Sequence, residues 1–364
     1  MTQILAVRGV LPEHTYTQAE LTAGFGDLIV TGEGLDRAVL ARLHGNAGVS
    51  TRHLTLPLEE YAGLDDFGQA NDVFIEHAVD LGAQAMVAAL KAADLAPEDV
   101  DLVVSTTITG VAVPSLEARI APLIGLRPDV RRIPIVGLGC VAGAAGVARV
   151  HDYLVGHPDQ VAVLLSVELC SLTVQREDTT VANLVASGLF GDGAGAVVAV
   201  GDTHPLARRT ASASSPGEAS QPAVLASRSR MYPDTERAMG WDVGSTGLKI
   251  VLGAEVPQLV ETYVGADVDL FLAEAGLTRS DVGWWVCHPG GPKVLEAMQS
   301  ALGVDRDALA MTWQSLDRIG NLSSASVLHV LADTLAERPP APGSYGVLMA
   351  MGPGFCLELV LLRG

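Results

Sequence analysis

A short apolar run that leads into a stretch of small residues constrains this chain more than any other feature. Residues 133–136, Ile-Pro-Ile-Val, predict a buried strand. Residues 138–146 then read Leu-Gly-Cys-Val-Ala-Gly-Ala-Ala-Gly, and the segment up to about Leu154 has the length of a buried helix. Because glycine and alanine let other backbone approach closely, this strand, turn and helix are predicted to pack tightly against a neighbouring element.

Cys140 stands at this turn, at the N-terminus of the predicted helix. Unpaired N–H groups and the positive end of the helix dipole favour a thiolate at such a position, which makes Cys140 a candidate nucleophile. A free cysteine also packs as a small hydrophobic residue. The stretch by itself therefore leaves an inert, buried cysteine as an equal alternative.

Length and charge bound the class of protein. The 364 residues suffice for two domains or for one duplicated fold, and 49% apolar with 18% charged residues is typical of a globular protein. Lys and Arg total 23 against 42 Asp and Glu, a formal charge of −19, and no basic block stands out. This balance argues against binding to nucleic acid or to an anionic membrane. It leaves anionic ligands open, because a few local arginines can serve one phosphate group.

The cysteine spacing and the apolar runs indicate the compartment. The four cysteines, at 140, 170, 287 and 356, include no CxxC pair, so we expect neither a metal cluster nor a disulfide framework. The N-terminus lacks the pattern of a signal peptide, and Gly, Pro or charge breaks the apolar runs before they reach membrane-spanning length. We expect a soluble, cytoplasmic protein without membrane insertion.

Strands alternate with helices along the chain, which predicts an α/β layered fold with a mainly buried sheet. Predicted strands cover residues 100–107, 133–136, 161–167, 196–200, 282–287, 345–351 and 356–362. Predicted helices cover residues 71–93, 114–124, 293–302 and 322–335, besides the one that follows Cys140. Residues 201–222 are rich in Ser, Ala, Gly and Pro around 211–217, and they are the best candidate for a connection between two halves.

A repeated sequence pattern, which we call the echo, supports a division of the chain into two halves. Gly139-Cys140 opens one small-residue helix, and Gly320-Asn321 opens another 181 residues later, close to half the chain length. Asn is a good N-cap, so its role may be read as purely structural. If the echo reflects a repeated half, the two helix N-termini face one another near a pseudo-twofold axis.

His288 offers a third reactive group. It ends the apolar run Trp284-Trp285-Val286-Cys287 and precedes a glycine turn, where open α/β sheets build their sites. Alone it fits a hydrogen-bonded core histidine better than a catalytic one. Together with Cys140 and Asn321 it supplies an imidazole that can keep a thiolate ionised. His and Asn donors can also hold an enolate or oxyanion, at about 3 kcal/mol for each donor.

Five motifs resemble those of type III polyketide synthases, the chalcone synthase-like family, in the same order. They are the Gly139-Cys140 turn, Leu189-Phe190-Gly191-Asp192-Gly193, His288-Pro289-Gly290-Gly291-Pro292, Gly320-Asn321-Leu322-Ser323-Ser324 and Gly352-Pro353-Gly354. Residues 109–114 and 239–244 are most similar to those of bacterial long-chain alkylpyrone and alkylresorcinol synthases. The resemblance implies the duplicated thiolase fold, layered α-β-α-β-α, with an N-terminal half over residues 1–205 and a C-terminal half over residues 206–364.

The resemblance also implies the reaction. Cys140 is expected to accept an acyl group from a CoA thioester, while His288 and Asn321 promote decarboxylation of malonyl-CoA and stabilise the enolate. Repeated Claisen condensation and cyclisation then give an alkylpyrone or a resorcinol-type ring. The family implies a homodimer that uses acyl-CoA and malonyl-CoA and needs no metal or other cofactor.

The resemblance extends to residues around the substrate. Phe190 matches an aromatic gatekeeper, and Ile250 stands where plant members carry a second aromatic ring. Gly352, Pro353 and Gly354 match the family's C-terminal glycine loop, although Ala350 departs from its opening glycine. Thr109, Cys170 and Ile250 are expected to line an apolar channel for a long acyl starter.

Two alternatives remain beside this interpretation. A ketoacyl-carrier-protein synthase III-like enzyme shares the fold and the Cys-His-Asn chemistry, but the His-Pro-Gly-Gly-Pro and Gly-Pro-Gly motifs argue against it. A non-catalytic acyl-binding protein on the same fold is the other alternative, and the complete triad argues against that.

Overall fold

A computed structural model describes residues 1–29, 37–207 and 221–364 of the chain. Its strands are β1 (Thr2–Val10), β2 (His14–Thr17), β3 (Thr51–Leu54), β4 (Leu102–Thr106), β5 (Arg131–Ile135), β6 (Val161–Leu169), β7 (Asp192–Gly201), β8 (Ala223–Met231), β9 (Met239–Gly244), β10 (Gly247–Leu252), β11 (Val282–Cys287), β12 (Tyr345–Gly352) and β13 (Cys356–Arg363). Its α-helices are α1 (Gln18–Ile29), α2 (Arg37–Gly45), α3 (Phe67–Ala92), α4 (Leu116–Ile124), α5 (Ala142–Gly156), α6 (Val181–Leu189), α7 (Val256–Glu274), α8 (Pro292–Leu302), α9 (Ala310–Ile319) and α10 (Ser326–Glu337).

The strand order repeats in the two halves of the chain. Within the described residues a nine-stranded sheet runs β11-β12-β13-β8-β1-β7-β6-β4-β5. From the centre outward, β1-β7-β6-β4 and β8-β13-β12-β11 show the same succession of two antiparallel pairings and one parallel pairing. The topology therefore agrees with the duplication that the echo between Cys140 and Asn321 predicts.

Three apolar clusters build the layers. The central cluster joins α5 and α10 to strands of both halves. A second cluster packs α1 and α3 on the outer face of the N-terminal strands, and a third packs α7, α8 and α9 on the C-terminal strands. Helices α5 and α10 are covered on both sides, and the first half of each helix is buried. The sites that open these two helices consequently lie at the middle of the molecule.

Helix α3 is long and apolar enough to cross a membrane by length and composition alone. Phe74, Ala78, Ala85 and Met86 are nevertheless buried against the N-terminal sheet. This arrangement is typical of the core helix of a globular protein.

The structure also corrects local predictions. Strand β5 forms as predicted but is the edge of the sheet, with Ile133 and Val136 exposed rather than buried. Pro134 is tolerated there because an edge strand need not donate on its outer side. Helix α4 starts at Leu116 with Ser115 as its N-cap, after Pro114. The predicted connection around 211–217 lies outside the described residues.

Candidate active site

Cys140 sits at the N-terminus of α5, as the sequence predicts. A single 3₁₀ turn, Gly139–Val141, links β5 to the helix, and Gly139 adopts a φ of 56°. The loop after β12 covers this turn closely. A Cβ on Gly139 would lie 2.7 Å from Pro353 Cγ, and one on Gly352 would lie 2.8 Å from the Leu138 carbonyl oxygen. The Gly-Pro-Gly loop therefore packs against the turn that carries the thiol.

Asn321 precedes a second 3₁₀ turn, Ser323–Ala325, which opens α10. Its Oδ1 accepts a hydrogen bond from the backbone N–H of Ser323 at 2.8 Å and one from Ser326 Oγ at 3.5 Å. These bonds fix the amide so that Nδ2, which has no hydrogen bond to the described residues, is free to donate. The backbone of Asn321 is held by Leu189 and Gly191 on the segment that carries Phe190.

The two turns meet. Cys140 Sγ lies 3.5 Å from Ser323 Oγ. Behind them, a Cβ on Gly143 would lie 2.2 Å from the carbonyl oxygen of Ser324, so α5 and α10 approach as closely as glycine allows. The close approach of α5 and α10 therefore places Cys140 beside the 3₁₀ turn that follows Asn321.

His288 ends β11 and is only 3% exposed. Its backbone N–H donates to the Met349 carbonyl on β12 at 2.9 Å, and its Nδ1 is buried with no hydrogen-bond partner among the described residues. Strand β12 runs from this contact to Gly352 at the Cys140 turn. His288 and the Cys140 turn therefore both contact β12, at Met349 and Gly352, and Nδ1 of the His288 ring has no partner among the described residues.

Burial sets the protonation of the site. It raises the pKa of the Cys140 thiol to about 12, against a lowering effect of the Ser323 hydrogen bond, and it lowers the pKa of His288 to about 3. Burial therefore favours a neutral thiol beside a neutral imidazole. Removal of the pair from water thus opposes the thiolate that the helix terminus favours.

A buried carboxyl group stands behind the thiol. Glu168 is fully buried on β6 and accepts hydrogen bonds from the Ile108 N–H and Thr109 Oγ1, both at 3.0 Å, and from Ser324 Oγ. Burial raises its pKa while these donors lower it. Thr109 is thus engaged with Glu168 and does not line the cavity described next. A lone Glu in the apolar run 161–169 is the sequence signal for this group.

A narrow cavity lies beyond Cys170. Phe190, Cys170 and Ile250 line it, together with Trp241 and Arg52. Trp241 pairs directly with Ile250 across the β9-β10 hairpin. Cys140 is not part of the wall. Burial raises the pKa of the Cys170 thiol, and the charges of Glu168, Asp192 and Cys140 add to that effect.

Sequence reasoning missed Trp241 and Arg52 as wall residues. Arg52 lies on a strand that alternates between buried and half-buried residues, and Trp241 lies on a strand that is half-buried to exposed. In such stretches an arginine and a tryptophan look like ordinary surface or packing residues. The four cysteines are free, and no cluster of potential metal ligands occurs within the residues that the structure describes.

Comparison with known proteins identifies the family. The description "Chalcone and stilbene synthases, N-terminal domain" matches residues 1–203, and "Chalcone and stilbene synthases, C-terminal domain" matches residues 223–364. The chain belongs to the chalcone and stilbene synthase family. It is a type III polyketide synthase, an acyltransferase-type enzyme that uses CoA thioesters and needs no cofactor.

Individual relatives cover nearly the whole chain. It is 54% identical over 362 residues to a 1,3,6,8-tetrahydroxynaphthalene synthase of Streptomyces peucetius subsp. caesius, covering 100% of this chain and 93% of the relative. The solved 1,3,6,8-tetrahydroxynaphthalene synthase of Streptomyces coelicolor A3(2) matches with a TM-score of 0.89 and 30% identity, over 99% of both chains. The alpha-pyrone synthesis polyketide synthase-like Pks18 of Mycobacterium tuberculosis is 31% identical over 79% of this chain and 71% of its own length. The fold is accordingly the predicted thiolase-like fold.

Proposed function

We propose that this type III polyketide synthase uses malonyl-CoA both as starter and as extender, with Cys140 as nucleophile and His288 and Asn321 as the decarboxylation and condensation groups. The observation that carries the assignment of the site is the meeting of the two helix N-termini. Cys140 Sγ lies 3.5 Å from Ser323, two residues after an asparagine whose amide is oriented by the same turn.

In the loading step the Cys140 sulfur attacks the thioester carbonyl of an acyl-CoA. Since burial favours the protonated thiol, the proton moves from Sγ to the His288 ring as the S–C bond forms. The C–S bond to CoA then breaks, and the departing CoA sulfur takes that proton. The acyl group ends on Cys140 and His288 returns to its neutral form.

In the extension step malonyl-CoA loses CO2, and the electron pair of the broken C–C bond becomes the enolate of acetyl-CoA. Asn321 Nδ2 and an N–H of His288 donate to the enolate oxygen, at a contribution of about 3 kcal/mol for each donor. The enolate carbon attacks the thioester carbonyl on Cys140, and the C–S bond breaks to release the Cys140 thiolate. A proton from water then restores the thiol, and the extended chain is a CoA thioester. The chain has grown by two carbons and is ready for reloading.

The substrate assignment follows the 54% identical relative, which is a tetrahydroxynaphthalene synthase. The ten carbons of a naphthalene ring correspond to five two-carbon units, so malonyl-CoA can supply all of them. The cavity wall supports a polar chain, since it contains the buried cation Arg52. The bulky side chains of Trp241 and Phe190 also line it.

The test supplies malonyl-CoA as the sole substrate and follows CO2 release and aromatic product by liquid chromatography and mass spectrometry. The expected result is a naphthol product from wild type and none from Cys140→Ala. Product that forms only after another acyl-CoA is added would overturn malonyl priming.

A long-chain starter is the second candidate function, giving an alkylpyrone or alkylresorcinol. Its support is Ile250 and Cys170 in the cavity wall and the similarity to Pks18. A matched variant tests it, because Cys170→Phe should lower the kcat/KM ratio of palmitoyl-CoA to hexanoyl-CoA while malonyl-CoA decarboxylation persists. An unchanged ratio in a folded variant means that no alkyl chain passes Cys170.

We further propose that the protein is a cytoplasmic homodimer built from halves at residues 1–205 and 206–364. The support for dimerisation is the apolar edge of the sheet. Ile133 and Val136 on and after β5, and Val113 after β4, are 42%, 68% and 87% exposed. An exposed apolar edge strand of this kind is ordinarily covered by another chain.

A further inference from the structure

Arg52 is a buried cation in the wall of the cavity beyond Cys170. It lies on β3, its side chain is 0% exposed, and its guanidinium carbon lies 5.8 Å from the centre of the Phe25 ring. Burial lowers its pKa to about 9, with the charge of Asp192 opposing that effect. The group is therefore mostly protonated at neutral pH.

The described residues do not accept hydrogen bonds from all the N–H groups of the Arg52 guanidinium. Nη1 donates to the Phe190 carbonyl oxygen at 2.6 Å, and Nη2 donates to Gln18 Oε1 at 3.1 Å. Nε is buried and has no acceptor among the described residues. Arginine carries five N–H bonds, so part of its donor capacity is unused.

No carboxylate of the described chain forms an ion pair with Arg52. Among the acids, Asp192 raises the pKa of Arg52 most, but both of its carboxylate oxygens already accept hydrogen bonds from other residues. Thr55 donates from its backbone N–H and Oγ1 at 2.7 Å each, and Ser171 donates from its N–H at 2.8 Å and from its hydroxyl group. A buried charge without a close counter-ion is unfavourable. A ligand anion would relieve that cost.

The other polar side chains of the wall are committed to partners within the protein. Ser171 bonds Asp192, Thr173 Oγ1 donates to the Cys170 carbonyl, Asn183 Nδ2 donates to the Gln175 carbonyl, and Ser187 Oγ bonds His44 Nε2. Arg52 therefore differs from its polar neighbours in the wall, because it combines a charge with an unused donor.

We propose that Arg52 is an anion-binding residue that holds the free carboxylate or enolate oxygen at the distal end of the polyketide chain attached to Cys140. This inference rests on the proposed function, because a chain primed with malonyl-CoA carries oxygen along its length and an alkyl starter does not. The contact is non-covalent, from Nε–H to an anionic oxygen. It selects against an alkyl tail, which would bury the guanidinium without an acceptor.

The experiment uses paired starters of equal length that differ only at the distal carbon. Succinyl-, glutaryl- and adipyl-CoA are each compared with butanoyl-, pentanoyl- and hexanoyl-CoA, with malonyl-CoA as extender and chain products measured by mass spectrometry. For at least one length, wild type should show a tenfold or greater kcat/KM preference for the carboxylate starter. The length that gives the largest preference reports how far Arg52 lies along the chain.

Two variants assign the preference to the charge. Arg52→Met keeps an unbranched stem against Gly320, whose Cβ would lie 3.1 Å from Arg52 Cδ, and should abolish or invert the preference. Arg52→Lys keeps a cation and should retain a clear preference. Equal loss of both starters in Arg52→Met would mean that Arg52 only supports the Phe190 segment, and it would overturn the inference.

If circular dichroism shows that neither variant folds, the starter preference of the wild-type enzyme still tests the inference. A preference for the alkyl starter at every length would then overturn it. The proposed function fails in a different assay, which supplies malonyl-CoA alone. Turnover there without any carboxylate preference rejects the role of Arg52 and leaves malonyl priming intact.

Discussion

Among single residues, Asn321 illustrates how the fold chooses the atom that faces a substrate. Its Oδ1 is held by the Ser323 N–H at 2.8 Å, which leaves Nδ2 as the available donor. An aspartate at this position keeps the acceptor and loses the donor. The substitution therefore separates the structural role of Oδ1 from the catalytic role of the Nδ2 donor.

Asn321→Asp should lower malonyl-CoA decarboxylation by about 10²- to 10³-fold, as expected for loss of one enolate donor. Acyl loading of Cys140 should change by only a few-fold, because an amide cannot activate a thiol. Intact-protein mass spectrometry measures loading, and CO2 release measures decarboxylation. Poor loading with normal decarboxylation would show that the roles of Asn321 are wrongly assigned.

The thiol of Cys140 gives a pH prediction. Since burial raises its pKa to about 12, the thiolate fraction should increase about tenfold for each pH unit between pH 7 and 10. The rate of Cys140 alkylation by iodoacetamide in the substrate-free enzyme should follow that increase, with Cys140→Ala as the blank. A plateau near neutral pH would indicate a resting ion pair with His288 instead.

At the scale of elements, the crossing of α5 and α10 is what brings the thiol to the asparagine loop. Gly143 sits at the contact, and a Cβ there would lie 2.2 Å from the Ser324 carbonyl oxygen. A backbone atom cannot rotate away as a side chain can. Any side chain at position 143 must therefore push the two helix N-termini apart.

Gly143→Ala should lower the free energy of unfolding by about 1–3 kcal/mol, as for other overpacked sites. It should also lower the rate of condensation by more than this loss of stability explains. Gly156→Ala is the matched control at the end of the same helix, because a Cβ there meets nothing within 4 Å. Thermal unfolding and malonyl-CoA turnover measure the two effects. Equal behaviour of both variants would contradict the close crossing.

At the scale of the whole molecule, the duplicated sheet leaves one edge uncovered. Strand β11 ends one side of the nine-stranded sheet and β5 the other, and β5 carries the exposed apolar residues. A second copy that covers β5 would bury the edge that adjoins the Cys140 turn. Dimerisation and catalysis would then depend on neighbouring parts of the chain.

The double variant Ile133→Asp, Val136→Asp should shift the protein from dimer to monomer, because it places two charges in the proposed apolar interface. Val243→Asp is the control, since Val243 is 76% exposed on the separate β9-β10 hairpin. Size-exclusion chromatography with light scattering measures the mass. A monomeric wild type, or a double variant that stays dimeric, would contradict this interface.

Local patterns in the sequence determined the alternation of strands and helices, the turn at Cys140 and the echo at Asn321. These features depend on hydrophobic periodicity and on small residues, which act over neighbouring positions. The recognised motifs likewise placed Cys140, His288 and Asn321 in a family. The exposure of β5 escaped prediction, because an apolar run has the same sequence at the centre and at the edge of a sheet.

Only the tertiary structure decided which protonation states burial favours in the site and which residues line the cavity. Arg52 is buried because β3 packs against residues far along the chain, and Trp241 reaches Ile250 through a hairpin whose position no local pattern specifies. The neutral state favoured for Cys140 and His288 comes from their removal from water. Desolvation depends on every element packed around a group, so a helix terminus read from sequence was insufficient to predict it.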